Sequence, residues 1–480
     1  MKRQASITML LVLTFFLGCK GGFEIKKDKE EEIPKPNILF VFIDDMGYGD
    51  LGIYGNEEVI TPNIDKLARE GLRVKQFYVN SPICSPSRVA VTTGQFPSRW
   101  GITSYIADSK RNRNRGIKDY LDTKAPSVAR QLKQAGYYTA HIGKWHMGGG
   151  RDIADAPLIT EYGFDESVTQ FEGLGERYLA TYETFDFPGG TRGLEKQSAA
   201  LGRGEVHWEK RENFTKVFVD RTIKAMDNAE NEGKPFYINL WPDDIHTPLE
   251  PPKALRGDLS TKARFLGVIQ EMDSQMGRLF SYIKNNPKLA SNTLIVLSSD
   301  NGPDEKVNDA LPLRGAKVWT YEGGIKEPFI AWWPGKIPQG KINNKTVVAA
   351  VDLPLVFMDI AGANLQPGVE YDGVNMTDAV LGIKEPIRDK SLFWIRPPDR
   401  PGYHGIDNPD LVIRKGDYKL LMNIDGSDLQ LFNVVEDEGE NNNLVATNTE
   451  KVEELKKELI NWYENYPHQI EKSIYSKNLP

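Results

Sequence analysis

The chain has 480 residues, a formal net charge of −7 and a pI near 5.6. No basic block stands beyond its first residues, which excludes a nucleic-acid partner held by an electrostatic footprint. With two cysteines in the whole chain, a disulfide-stapled scaffold is excluded too, and the length is sufficient for a large hydrophobic core.

Lys2 and Arg3 precede an apolar run, Ile7 to Leu17, that is too short to span a bilayer as a helix. Gly18-Cys19 follows, so residues 1–19 read as a secretory signal ending in a lipid-attachment cysteine of the bacterial lipoprotein kind. Residues 20–35, with the run KKDKEEE, read as a solvated tether. The expected location is therefore the periplasm or cell surface, with membrane contact only through the lipid. There thiols normally pair, yet with Cys19 committed to lipid, Cys84 has no partner.

From Asn37 the pattern is α/β. NILFVFI (37–43), PFYINLW (235–241), TLIVLS (293–298) and PFIAWW (328–333) are short continuous apolar runs, as expected for strands buried on both faces. Helical patterns lie between them at 125–135, 214–229 and 262–283. Alternation of the two predicts a large, mainly parallel sheet flanked by helices. After about Gly382, SLFWI, LVIRKGDYKLLMNI and LQLFNV predict antiparallel strands, and a closing helix is expected over 449–463. The predicted division is a catalytic domain over 36–382 and a smaller α+β subdomain over 383–480.

In open α/β sheets, functional groups gather beyond the carboxyl ends of the strands. Asp44-Asp45 ends the first strand and Asp300-Asn301 follows TLIVLS. PFYINLW runs into PDDIHTP, and YYTAHIGKWHMGG carries His141, Lys144 and His146. Buried paired carboxylates are costly without a counter-charge. Oxygen donors of this type suit Ca²⁺ or Mg²⁺ better than Zn²⁺. Pro82 and Pro86 bracket Cys84, so a helix is expected over 87–93, with Ser85 as its cap and Cys84 just before its N-terminus. That is a place to hold an anion or to activate a nucleophile.

Cys84-Ser85-Pro86-Ser87-Arg88 resembles the Cys-x-Pro-Ser-Arg signature of type I sulfatases in the alkaline phosphatase-like superfamily. FIDDMGYGDLG, TPNIDKLAREG, GYYTAHIGKWHMG, SSDNG and RGAKVWTYEGGIKEPFI extend the likeness from Pro36 onward. The resemblance implies that a maturation enzyme oxidises Cys84 to formylglycine (3-oxoalanine). It implies one divalent cation, Ca²⁺ in preference to Mg²⁺, on Asp44, Asp45, Asp300, Asn301 and the modified Cys84. Arg88 would fix the hydrated aldehyde, and Lys144 and Lys317 would bind sulfate oxygens. His246 would protonate the leaving sugar oxygen, leaving sulfate on residue 84. His146 would then take a proton from the second hydroxyl, so that sulfate departs and the aldehyde returns.

Two departures from the family wording stand out: Ala316 replaces a frequent glycine before Lys317, and PDDIHTP replaces Pro-His-Thr-Pro. The substrate expected is a sulfated oligo- or polysaccharide, algal in preference to animal. Arg99, Trp100, Arg396 and His404 are candidate sugar contacts, alongside Lys144, His246 and Lys317. The rival readings are a phosphomonoesterase or phosphodiesterase of the same superfamily and a non-catalytic binder of sulfated glycans. Sulfate against phosphate release separates the first, and the chemical state of residue 84 separates the second.

Overall fold

The computed structural model describes residues 35–183, 190–308, 310–399, 402–403 and 406–465. Cys19, the tether up to residue 34, His404 and His468 lie outside them. In chain order the strands are β1 (Asn37–Ile43), β2 (Leu72–Tyr78), β3 (Tyr138–Gly143), β4 (Glu166–Thr169), β5 (Glu176–Thr181), β6 (Val206–Lys210), β7 (Phe236–Trp241) and β8 (Thr293–Ser299). There follow β9 (Lys326–Glu327), β10 (Phe329–Trp332), β11 (Lys341–Ala349), β12 (Leu392–Ile395), β13 (Gly402–Tyr403), β14 (Ile406–Asp407), β15 (Leu411–Lys415), β16 (Tyr418–Met422) and β17 (Gln430–Asn433).

The large sheet runs β11-β2-β10-β8-β1-β7-β3-β4-β5-β6, with β9 added beside β2. β1 is parallel to both neighbours, pairing Leu39 with Ile238 of β7 and with Ile295 of β8. Antiparallel pairing is confined to β9 and β10, so the sheet is mixed and mainly parallel. β1 explains why its sequence shows no alternation. Ile38, Phe40 and Phe42 enter one core layer, while Leu39, Val41 and Ile43 enter the layer on the opposite face. Helices Pro62–Glu70, Phe214–Asn231 and Thr261–Asn285 cover the second layer. The first is covered by helices Cys84–Thr93, Val128–Gln134 and Leu353–Ile360.

The antiparallel sheet expected near the C-terminus is present, in the order β12-β15-β16-β17. The helix Thr449–Asn465 packs on it. Leu392, Trp394, Leu411 and Ile413 join the same hydrophobic layer as Val74 and Tyr78 of β2 and the Val79 that follows it. Among the described residues no helix is long and apolar enough to cross a membrane.

Candidate active site

The carboxyl ends of β1, β8, β3 and β7 converge, and the next residues of each supply the site. Asp44 and Asp45 follow β1, Asp300 and Asn301 follow β8, and Lys144 follows β3. The three aspartates are buried, with carboxylate oxygens lying within 4.8 Å of one another. Backbone strain is concentrated here: Asp45, His146 and Val318 all take positive φ, at 57°, 54° and 73°, a region side-chain-bearing residues rarely occupy. Gly143 has a structural requirement of its own. Its φ is 109° and a Cβ there would lie 2.1 Å from the Trp241 carbonyl oxygen. The same carbonyl accepts from the Lys144 amide at 2.8 Å, so the close approach permits Lys144 to turn into the site.

The helix bearing the motif begins at Cys84 rather than at Ser87, with Ile83 as its extended cap residue. Ser85 is not the cap. Its hydroxyl oxygen accepts from the Ile106 amide at 2.9 Å and ties the helix start to the neighbouring loop. One turn further on, Arg88 is fully buried. Its guanidinium donates to Asp300 Oδ2 at 2.6 Å, to Asp44 Oδ1 at 3.2 Å and to the Lys144 carbonyl at 2.9 Å. The Lys144 ammonium reaches Asp44 Oδ2 at 2.6 Å, and that of Lys317 reaches Asp45 Oδ2 at 2.7 Å.

Burial opposes ionisation of every one of these carboxyls, but the outcomes differ. At Asp44 the nearby Lys144, His246, Arg88 and Lys317 outweigh burial and hold the carboxyl well below its usual range. At Asp300 burial and the Asp44 charge prevail and push it up to about 8, and Asp45 is also raised by burial. Asn301 donates to Asp45 Oδ1 at 2.8 Å, while its own Oδ1 is buried without a hydrogen-bond partner. Frustrated carboxylates around an orphaned amide oxygen fit a hard divalent cation taking oxygen ligands. The donor set Asp44, Asp45, Asp300 and Asn301 is therefore compatible with the cation the sequence implied. Cys84 is buried, and desolvation pushes its thiol up to about 12. An unmodified thiolate is thus unavailable at neutral pH.

The two histidines are held in opposite tautomers. His146 Nε2 faces two acceptors, the Ile106 carbonyl and Glu172 Oε1, each at 3.1 Å, so Nε2 carries the hydrogen and the buried Nδ1 is bare. His246 Nδ1 lies 2.7 Å from the Thr247 carbonyl and carries the hydrogen there, which leaves Nε2 bare, 3.8 Å from Asp45 Oδ2. Burial, with Lys317 and Lys144 assisting, lowers His246 to about 3; burial and Lys144 also hold His146 well below its usual value. His141 plays no direct part. It is fully buried in the core, edge-on to Trp145 and Trp241.

A cavity of about 290 Å³ opens above these groups and is lined by Cys84, Lys144, His146, His246 and Lys317. Its outer wall carries residues with no sequence motif, including Arg151, Phe171, Glu172, Tyr182, Arg192 and Glu195. These come from loops and short elements after β3, β4 and β5, where no periodicity or spacing marks them. Arg99, Trp100 and Arg396, expected from sequence as candidate sugar contacts, do not line this cavity. Arg99 is locked on Asp372 at 2.7 and 2.8 Å, and Trp100 donates to Gln95 Oε1 at 3.1 Å. Arg396 is wholly buried against Asp410. The nearness of Arg99 and Trp100 to the Cys84–Arg88 motif in sequence carried no information about direction.

Comparisons with known proteins agree with this geometry. The family described as Sulfatase matches residues 36–363, and that described as N-sulphoglucosamine sulphohydrolase, C-terminal, matches 316–466. N-acetylgalactosamine-6-sulfatase of Canis lupus familiaris is 30% identical over 378 residues, covering 75% of this chain and 68% of the relative. Arylsulfatase A of Bos taurus is 30% identical over 420 residues, covering 82% and 76%. Among solved structures, that of Ps i-CgsB in complex with k-i-k-neocarrahexaose aligns with a TM-score of 0.74 at 27% identity, covering 91% of this chain and 94% of the other. PsFucS1 sulfatase from Pseudoalteromonas sp. aligns with a TM-score of 0.69 at 27% identity, covering 90% and 91%.

Proposed function

The chain belongs to the sulfatase family, as a sulfuric ester hydrolase, and from that premise we propose that it removes sulfate from sulfated carbohydrates, using a formylglycine made from Cys84 and a bound Ca²⁺. The observation that carries this reading is the single cavity in which Cys84 faces Lys144, Lys317, His146 and His246 above the buried aspartates. When bound, the cation would polarise and orient the oxygen nucleophile provided by the oxidised residue 84.

The protein's own groups do the rest. Arg88 fixes Asp44 and Asp300 one turn along the helix from residue 84. Lys144 and Lys317 bring positive charge to the end of the cavity where negative charge gathers on the sulfate oxygens. His246 presents Nε2 to the cavity, and a proton on that atom would pass to the leaving sugar oxygen. Its low pKa in the free protein arises from burial and the two lysines. A bound sulfate offsets those lysine charges and so favours the protonated form. His146, neutral and bare at Nδ1, serves as the complementary base.

The carbohydrate reading is supported by relatives named for N-acetylgalactosamine 6-sulfate and by the carrahexaose complex. The latter, with the export signal read at residues 1–19, favours algal polysaccharide fragments taken up by a lipid-anchored, periplasmic or surface enzyme. The deciding experiment expresses the chain in a host that performs the oxidation. Peptide mass spectrometry of the segment around residue 84 is expected to show the aldehyde, and sulfate release from sulfated sugars is expected to exceed phosphate release from matched phosphates. An unmodified thiol in active protein, or faster phosphate release, would overturn the reading.

A further inference from the structure

Asp243 and Asp244 stand between β7 and His246 in PDDIHTP, and the reaction above uses neither. The fold shows what they hold. Both face Arg211, which is buried on the short turn before the helix Phe214–Asn231. Its guanidinium donates to Asp243 Oδ1 at 2.7 Å and lies 3.3 Å from Asp244 Oδ1. Asp244 Oδ2 also accepts from the Thr215 hydroxyl in the first turn of that helix. On the other side, Asp243 Oδ2 accepts from the side-chain amide of buried Gln170 at 3.2 Å. Both carboxylate oxygens of Asp243 are therefore engaged, although the residue borders the cavity.

Arg211 also grips the main chain of the turn. It donates to the Asp243 carbonyl and lies 3.5 Å from the His246 carbonyl. The Asp243 carbonyl in turn accepts from the His246 amide at 3.2 Å. The His246 ring is oriented from the same turn, through Nδ1 and the Thr247 carbonyl at 2.7 Å. Among the described residues no side chain hydrogen-bonds the ring, Asp45 being 3.8 Å away. Where Nε2 points thus depends on where the turn is anchored, and Asp243 with Arg211 is the anchor. Placement matters because a displacement of about 1 Å in a reacting group costs about 10²-fold in rate.

We infer that Asp243, clamped by Arg211 and Gln170, is a positioning residue that aims His246 into the cavity. The acids of PDDIHTP then serve the proton-donating step and not the sugar. This rests on the reading of His246 as the proton donor given above and adds the element that directs it.

The test uses ring-substituted phenyl sulfates, from nitrophenyl to methoxyphenyl, so that leaving-group basicity changes with no sugar present. With matured full-length enzyme, Asp243→Ala is expected to lower kcat/KM less than about threefold on nitrophenyl sulfate and about tenfold or more on methoxyphenyl sulfate. Asp243→Asn keeps an acceptor for Arg211 and the size of the side chain. It is expected to show the same trend at smaller amplitude, and it carries the comparison if the alanine variant does not fold. In nuclear magnetic resonance of the unoxidised protein, isotope-labelled at the histidine nitrogens, the His246 ring signals are expected to move in both variants while those of His141 stay in place. A loss uniform across the series, or unmoved His246 signals, would overturn the inference. So would a loss confined to sugar sulfates, which would place Asp243 on the substrate. His246→Ala is the reference: if its losses do not grow with leaving-group basicity either, the acid reading itself has failed and this inference falls with it.

Discussion

His246 and His146 show what single residues contribute. In the proposed reaction one presents a nitrogen that acquires a proton and the other a nitrogen that lacks one, and neighbouring carbonyls favour both choices. A general acid matters in proportion to the basicity of the leaving group. His246→Ala is therefore expected to lower kcat/KM on a sugar sulfate about 10²–10⁴-fold, and on a nitrophenyl sulfate, whose leaving group needs no proton, less than about tenfold. Equal losses on both would remove the acid role. Asp300 invites a second measurement. Its carboxyl, raised to about 8 by burial and Asp44, is poorly tolerated without a cation. Saturating Ca²⁺ is expected to stabilise the protein by about 2–3 kcal/mol in thermal denaturation, and Asp300→Asn is expected to abolish most of that gain; a melt indifferent to Ca²⁺ and to chelation would exclude the cation.

The residues that gather at the base of the cavity were legible in sequence because each stands at the end of an unbroken apolar strand or inside a compact motif. Asp44, Asp300 and Cys84 are of this kind. Glu172, Arg192 and Glu195 were not legible, since their place in the cavity wall arises only when separate loops meet. Arg396 shows the converse. An arginine placed just after a strand reads as a candidate contact, but Asp410 of the adjacent connection claims it in the fold.

At the level of elements, the sequence located strands and helices well and their junctions less so. The motif helix begins three residues earlier than the proline pattern suggests, because Ile83 takes the extended cap geometry and Pro86 fits inside the first turn. How the two sheets are joined was not legible at all. Beside the shared hydrophobic layer, that junction holds a buried polar cluster. Lys419 of β16 meets Glu322 Oε1 at 3.1 Å and Glu440 Oε1 at 2.9 Å, and Tyr78 of β2 donates to Glu322 Oε2 at 2.5 Å. Lys419 is shared between the two buried glutamates. Burial, with Glu322 beside it, raises Glu440 to about 7, while Glu322 is held low despite burial by Lys419 and Lys326. The folded protein thus retains a proton on Glu440 that the unfolded chain has lost above its ordinary value of 4.5. This contribution to stability is complete below pH 4.5 and is lost as pH rises towards about 7. Glu440→Gln keeps the acceptor for the Glu322 amide and cannot ionise. It is expected to flatten the stability profile across that window, gaining about 1–3 kcal/mol on wild type between pH 5 and pH 8 in denaturant titrations. Parallel profiles for the two proteins would show that Glu440 is ionised throughout.

At the scale of the whole molecule, the small C-terminal sheet does not behave as an appended module. The Trp394 indole donates to the Val79 carbonyl of the large-sheet half at 2.7 Å. Arg414 lies over the Tyr78 ring at 4.4 Å and donates to Gln76. The hydrophobic layer beneath Cys84–Thr93 continues without a break into β12, β15 and β16. Separate domains would meet through a smaller and more polar surface. A chain ending at Gly382 would expose one face of that layer and leave Glu322 without Lys419. It would also lose the support behind β2, which borders the antiparallel part of the large sheet. Such a truncation is expected to lose cooperative thermal unfolding and near-ultraviolet circular dichroism while keeping much of its helical signal, as chains do when tertiary packing fails first. A truncated protein that melts cooperatively within about 5 °C of the full chain would instead mean that the first 382 residues complete their own core.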